Sequence, residues 1–151
     1  MVGGETILFS QSTIARRVEE LSDDIAALPT KPEIAVPILT GAFMFATYLL
    51  RALAVRKLTL PMEFILLRSY SDAQTAHEMK VLSGPSEIVR DKHVLVSDGV
   101  LDSGATLANA CELLLAAGAR SIVAIVAVVK KHLRRMIEAD HVGFRAGPDF
   151  L

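Results

Sequence analysis

At 151 residues, 52% of them hydrophobic, the chain is long enough for one domain (1–151) with a substantial core. Sixteen basic residues against seventeen acidic ones leave a net charge of −1, so bulk electrostatics does not favour nucleic acid. No apolar run nears the roughly 20 residues of a membrane span. The lone cysteine, Cys111, excludes an internal disulfide and fits a reducing, cytoplasmic setting. The opening MVGGETILFSQS also lacks the basic flank and long apolar stretch of a signal peptide.

In chain order, residues 12–28 place Ile14, Val18, Leu21, Ile25 and Leu28 at steps of four and three. That spacing predicts an amphipathic helix, with Ser10 or Ser12 as its cap. EIAVPILT (33–40) reads as a buried strand and 41–55 as the helix packed on it. MEFILLRSY (62–70) and HVLVSD (93–98) read as further strands, separated by a polar stretch at 69–80 with the length of a lid. Residues 105–119 form a helix with Leu107, Ala110, Cys111 and Leu114 on one face and Gly118 as its stop. The β-branched run at 121–129 and HVGF (141–144) complete the strands. Alternating strands and helices, with strands apolar on both faces, predict an α/β fold with a mostly parallel, doubly covered sheet. Cys111 reads as core, and the four histidines have no metal-ligand spacing.

The chemistry concentrates in VLVSDGVLDSGATL (94–107), where a buried strand runs through two carboxylates, a glycine and two hydroxyls into a helix. In a parallel sheet, ligands bind outside the carboxyl ends of the strands. A helix N-terminus there attracts an anion, and Gly104 lets the backbone come close. Asp98 and Asp102 would repel a bare phosphate. They make sense if they face sugar hydroxyls or a divalent metal on the same ligand, so a sugar phosphate accounts for both halves. Residues 98–106 are therefore expected to form a loop at the carboxyl edge of the sheet. A helix-capping role for the two acids is the plain alternative.

The stretch resembles the ribose-phosphate loop of type I phosphoribosyltransferases. ILTGAFMFATYLLRAL (38–53), FILLRSY (64–70), VLSG (81–84) and HVGF (141–144) resemble, in order, segments of the hypoxanthine-guanine branch. The resemblance implies that branch's mostly parallel sheet flanked by helices, here with a small, reduced hood. It also implies transfer of the phosphoribosyl group of 5-phosphoribosyl 1-diphosphate (PRPP) to a purine base in purine salvage, with Mg2+, by a homodimer or homotetramer. Asp102 would be the general base near the purine, and Asp98 would bind ribose hydroxyls and metal. Ser103, Gly104, Ala105 and Thr106 would hold the 5-phosphate, Thr40 and Gly41 the pyrophosphate. Ser69 and Tyr70 would belong to the lid, and Lys131 and Phe150 would meet the purine.

Two positions depart from the family. Ser97 stands where an acid is usual, and Thr40 where a lysine is usual. The family also supplies an acid and a basic residue after the stacking aromatic, whereas this sequence ends at Leu151. A PRPP- or nucleotide-binding protein of the same fold, without transferase activity, is the alternative these departures suggest. A phospho-accepting receiver domain fits less well, because it needs acids at the first strand and EIAVPILT ends in threonine.

Overall fold

The computed structural model describes residues 10–39, 42–69, 79–130 and 135–146, with the backbone alone at Ser69. Helix α1 (Gln11–Ala26) starts at Ser10, whose hydroxyl accepts the Thr13 N–H. Strand β1 (Ile34–Leu39) leads to α2 (Phe43–Val55), followed by β2 (Ile65–Ser69) and β3 (Met79–Ser83). A short 3-10 turn (Glu87–Val89) precedes β4 (His93–Leu101), which leads to α3 (Ala105–Ala116), β5 (Ser121–Lys130) and β6 (His141–Ala146). The six strands lie in the order β3-β2-β1-β4-β5-β6. All pair in parallel except β3, which runs antiparallel to β2 at the edge.

The central strands are apolar on both faces because both are covered. Val94 and Val96 of β4, with Ala124 and Val126 of β5, pack with Leu107, Ala110 and Leu114 of α3. Leu95 and Ile125, one residue out of phase, pack with Leu21 and Ile25 of α1 and Leu49 and Leu53 of α2. The period-two alternation of a strand thus sorts each segment between two cores. The helices of the second layer are also tied by charge, with Arg56 donating to Asp23 at 2.7 Å and to Glu19 at 2.6 Å.

The structure differs from the sequence expectation at several element ends. β4 continues through Leu101 because it stays paired with the ten-residue β5, as far as Leu101 opposite Val129. The expected loop at 98–106 therefore shrinks to residues 102–104, and Ala105 and Thr106 belong to the helix. β2 starts only at Ile65. Pro37 cannot donate a ladder hydrogen bond, and the pairing of β1 with this segment is interrupted between Ala35 and Ile38. β3 was not expected as a strand, since it begins within the polar stretch at 69–80 and four of its five residues are exposed. Its first two residues fall in the stretch read as a lid, of which residues 70–78 lie outside the described residues.

Gly143 in β6 leaves no room for a side chain, because a methyl built on it would overlap the carbonyl oxygen of Ala127 in β5. Gly143→Ala is expected to destabilise the fold by about 1–3 kcal/mol, the usual cost of overpacking. A urea titration with an unchanged midpoint would contradict this close approach.

Candidate active site

β4 lies between β1 and β5, so its carboxyl end opens at the middle of the sheet. Asp98 stands there, opposite Val126 of β5. Its side chain is buried, with 7% of its surface exposed. Its Oδ1 accepts the Gly99 N–H at 2.8 Å. Burial pushes its pKa from the ordinary 3.8 up to about 6, and the Gly99 bond only partly opposes that rise. A carboxylate so placed gains from any ligand that brings hydroxyl donors or a cation. Ser97, where the family usually has an acid, is buried in the strand interior, paired with Pro37 and Ile125.

The loop at residues 102–104 is shaped by its own sequence. Ser103 Oγ accepts the Ala105 N–H at 3.3 Å. Gly104 takes the left-handed conformation, φ 90° and ψ 3°, where a side chain would be strained. A Cβ there would also lie 3.1 Å from the Ile137 backbone nitrogen and 3.3 Å from Arg135 Cγ. The Gly104 carbonyl accepts the Ala108 N–H at 2.8 Å and starts α3. Helix geometry leaves the Thr106 and Leu107 N–H groups without an intrahelical acceptor. Gly104 at the N-cap has no side chain to cap this end, and no acid occupies its first turn. Ser103, Gly104, Ala105 and Thr106 thus come together around the N-terminus of α3, where backbone N–H groups could receive an anion.

Asp102 stands at the start of this loop with its carboxylate half exposed. Its Oδ2 lies 3.5 Å from Nζ of Lys130, the last residue of β5. Three strand residues, a rise of about 10 Å, separate Asp98 from Leu101. The backbones of the two acids are thus well separated along the chain.

The expected contacts at Thr40, Gly41, Tyr70, Lys131 and Phe150 lie outside the described residues. Ser69 ends β2, its backbone paired with Met79. Lys130 was not singled out in the sequence, where Lys131 was chosen. Among the described residues no three of His, Cys, Asp and Glu gather as a metal cluster.

Residues 6–148 match the model of the phosphoribosyl transferase domain. The chain belongs to that family. Within it, the relatives place this phosphoribosyltransferase in the hypoxanthine-guanine branch of the type I enzymes. It is 30% identical over 149 residues to the hypoxanthine-guanine phosphoribosyltransferase of Aquifex aeolicus, covering 96% of this chain and 82% of that protein. The Bacillus subtilis enzyme of the same name is 28% identical over 151 residues, at 97% and 82% coverage. The bifunctional protein TilS/HprT of Listeria innocua is 27% identical over 150 residues, and this chain spans 23% of its length. A solved structure of Trypanosoma cruzi hypoxanthine phosphoribosyltransferase superposes with a TM-score of 0.83 at 27% identity, covering 93% of this chain and 77% of that one. A second, in complex with the product IMP, gives 0.80 at 25% identity, covering 93% and 79%.

Proposed function

We propose that this protein joins a purine base to the phosphoribosyl group of PRPP, giving a nucleoside monophosphate and pyrophosphate in purine salvage. The observation that carries the reading is the junction of β4 and α3. A buried acid, an uncapped helix N-terminus with a left-handed glycine and an exposed acid beside a lysine follow one another within nine residues. PRPP has a part for each: ribose hydroxyls for Asp98, the 5-phosphate for residues 103–106, and the anomeric carbon where the base arrives below Asp102.

In the reaction a purine ring nitrogen bonds to the ribose C1 as the bond from C1 to the pyrophosphate oxygen breaks, and pyrophosphate leaves with the electron pair. The base must shed one proton, which the Asp102 carboxylate is placed to take. Lys130, 3.5 Å from Asp102 Oδ2, is proposed to meet the exocyclic oxygen of a hypoxanthine- or guanine-type base, alone or together with Lys131, to which the resemblance gives that role and which lies outside the described residues. Thr40, Gly41, Ser69 and Tyr70 are proposed to enclose the pyrophosphate, and Phe150 to stack on the purine.

Mg2+ fits this donor set as an ion brought in by substrate. The ion usually keeps one or two carboxylates together with phosphate oxygens, and Asp98 offers one hard-oxygen ligand. When bound, it would neutralise charge on the departing pyrophosphate. A homodimer or homotetramer is proposed from the exposed apolar side chains Ile14, Met44 and Tyr48 on α1 and α2. A cytoplasmic location is proposed from the single cysteine. No described helix is long and apolar enough to cross a membrane.

The phosphate cradle is tested with Thr106→Ala. Losing one charge-assisted hydrogen bond costs about 1.5–3 kcal/mol, so PRPP binding should weaken by roughly 10–100-fold. Calorimetry that returns the parental affinity would remove this loop as the phosphate site.

A further inference from the structure

Arg135 belongs to none of the sequence segments singled out above, yet it contacts both Asp102 and Lys130. Its Nε donates to the backbone carbonyl of Asp102 at 3.2 Å. Its Nη2 donates to the backbone carbonyl of Lys130. Its Nη1 meets both carboxylate oxygens of Glu138, at 2.9 and 2.8 Å. One guanidinium, with 11% of its side chain exposed, thus spans the carbonyls of the two residues whose side chains face each other across 3.5 Å. The next two residues continue the tie. The Met136 N–H donates to the Ser103 carbonyl at 2.8 Å, and the Ile137 backbone lies against Gly104.

We infer that Arg135 is a positioning residue for the transfer reaction, fixing the Asp102 carboxylate and the Lys130 ammonium relative to each other through their backbones. The inference rests on the proposed roles of Asp102 and Lys130. Asp102 and Lys130 each follow a residue of the last β4–β5 pair, Leu101 opposite Val129, so the sheet brings them near each other. Asp102, already in the loop, has no ladder partner in β5 to fix its backbone. The planar fork of a guanidinium can hold two carbonyls at a fixed spacing, whereas an ammonium is a single point of attachment. Glu138 in turn holds the guanidinium in the plane it needs. The acceptors are the carbonyls of Asp102 and Lys130 rather than their side chains, so Arg135 acts on the two residues through their backbones.

The test is a kinetic double-mutant cycle with PRPP, Mg2+ and hypoxanthine or guanine, alongside thermal melts of every variant. Arg135→Lys is expected to lower kcat by about 10–100-fold with KM for PRPP within about 3-fold, the scale of a misplacement near 1 Å. In an Asp102→Asn background the same change should lower kcat by no more than about 2-fold, since the group it positions is already disabled. Arg135→Gln, which removes the fork and the charge together, should repeat this pattern if Arg135→Lys melts too early to assay. Glu138→Gln keeps one side-chain oxygen to accept from Arg135 and should lower kcat by less than Arg135→Lys does. An equal loss of kcat in the parent and Asp102→Asn backgrounds would overturn the inference. So would a lowered melting temperature with kcat per folded enzyme unchanged. An Asp102→Asn enzyme with parental turnover would instead remove the role of Asp102 itself, and the positioning role with it.

Discussion

Asp102→Asn should lower kcat by about 10²–10⁴-fold while PRPP affinity stays within a few-fold. That is the usual contribution of a positioned proton acceptor. Asparagine keeps the shape of the side chain and its hydrogen-bonding edge, but its amide oxygen has almost no basicity. The Asp102 carboxylate lies beside the phosphate cradle rather than inside it, and its backbone carbonyl would still accept from Arg135. Ground-state binding of PRPP should therefore survive the change. Steady-state kinetics and PRPP titration on the same preparation separate the two effects. Parental turnover in the variant would refute the proton-acceptor role and leave the fold and the phosphate site standing. A parent that binds PRPP but turns over none of the purine bases would favour the binding-protein alternative.

The second large effect is at Asp98, where stability and activity should move in opposite directions. The unfolded chain gives up this proton near the ordinary 3.8 and the folded chain near 6. The native state holds more protons between those values, so stability falls as pH rises through that window and stays lower above it. A rise from 3.8 to about 6 corresponds to about 3 kcal/mol in a site this buried. Asp98→Asn should recover part of that cost, about 1–3 kcal/mol near pH 7.5, and the gain should fade as the pH is lowered toward 4. The variant keeps an oxygen to accept the Gly99 N–H. It loses the charge proposed to hold ribose hydroxyls and Mg2+, so kcat/KM for PRPP should drop by about 10²–10⁴-fold, as for two lost charge-assisted contacts. Denaturant melts at pH 4.5 and 7.5 read the first effect and kinetics the second. Identical stability of the parent and the variant at pH 7.5 would show that burial does not strain this carboxylate.

Much of the site was legible because strand and helix use different hydrophobic periods, and the change between them falls at residues 98–105. The apolar run before Asp98 and the helical spacing from Leu107 marked a strand, a turn and a helix without any tertiary information. Gly104 could be read as the residue that needs freedom, and its φ of 90° is the reason. The end of β4 was read three residues early because acids and glycine usually interrupt strands. Here β5 is long enough to keep pairing past them. β3 escaped notice because an edge strand with four exposed residues need not look apolar.

The sequence by itself determined the α/β class and the doubly covered sheet, and it marked residues 103–106 and the two carboxylates as the proposed site. Each depends on residue order within about fifteen positions, and local periodicity and turn chemistry act over that range. Only the tertiary structure decided which lysine stands beside Asp102, and that Arg135 reaches back 33 residues to its carbonyl. The direction of a side chain at a strand end depends on register with neighbouring strands, and a contact between β5 and the β4–α3 loop exists only once the sheet has formed. The burial of Asp98 has the same origin. An aspartate is ordinarily ionised well below pH 6, and it is burial within the folded β4 that raises the pKa of this one.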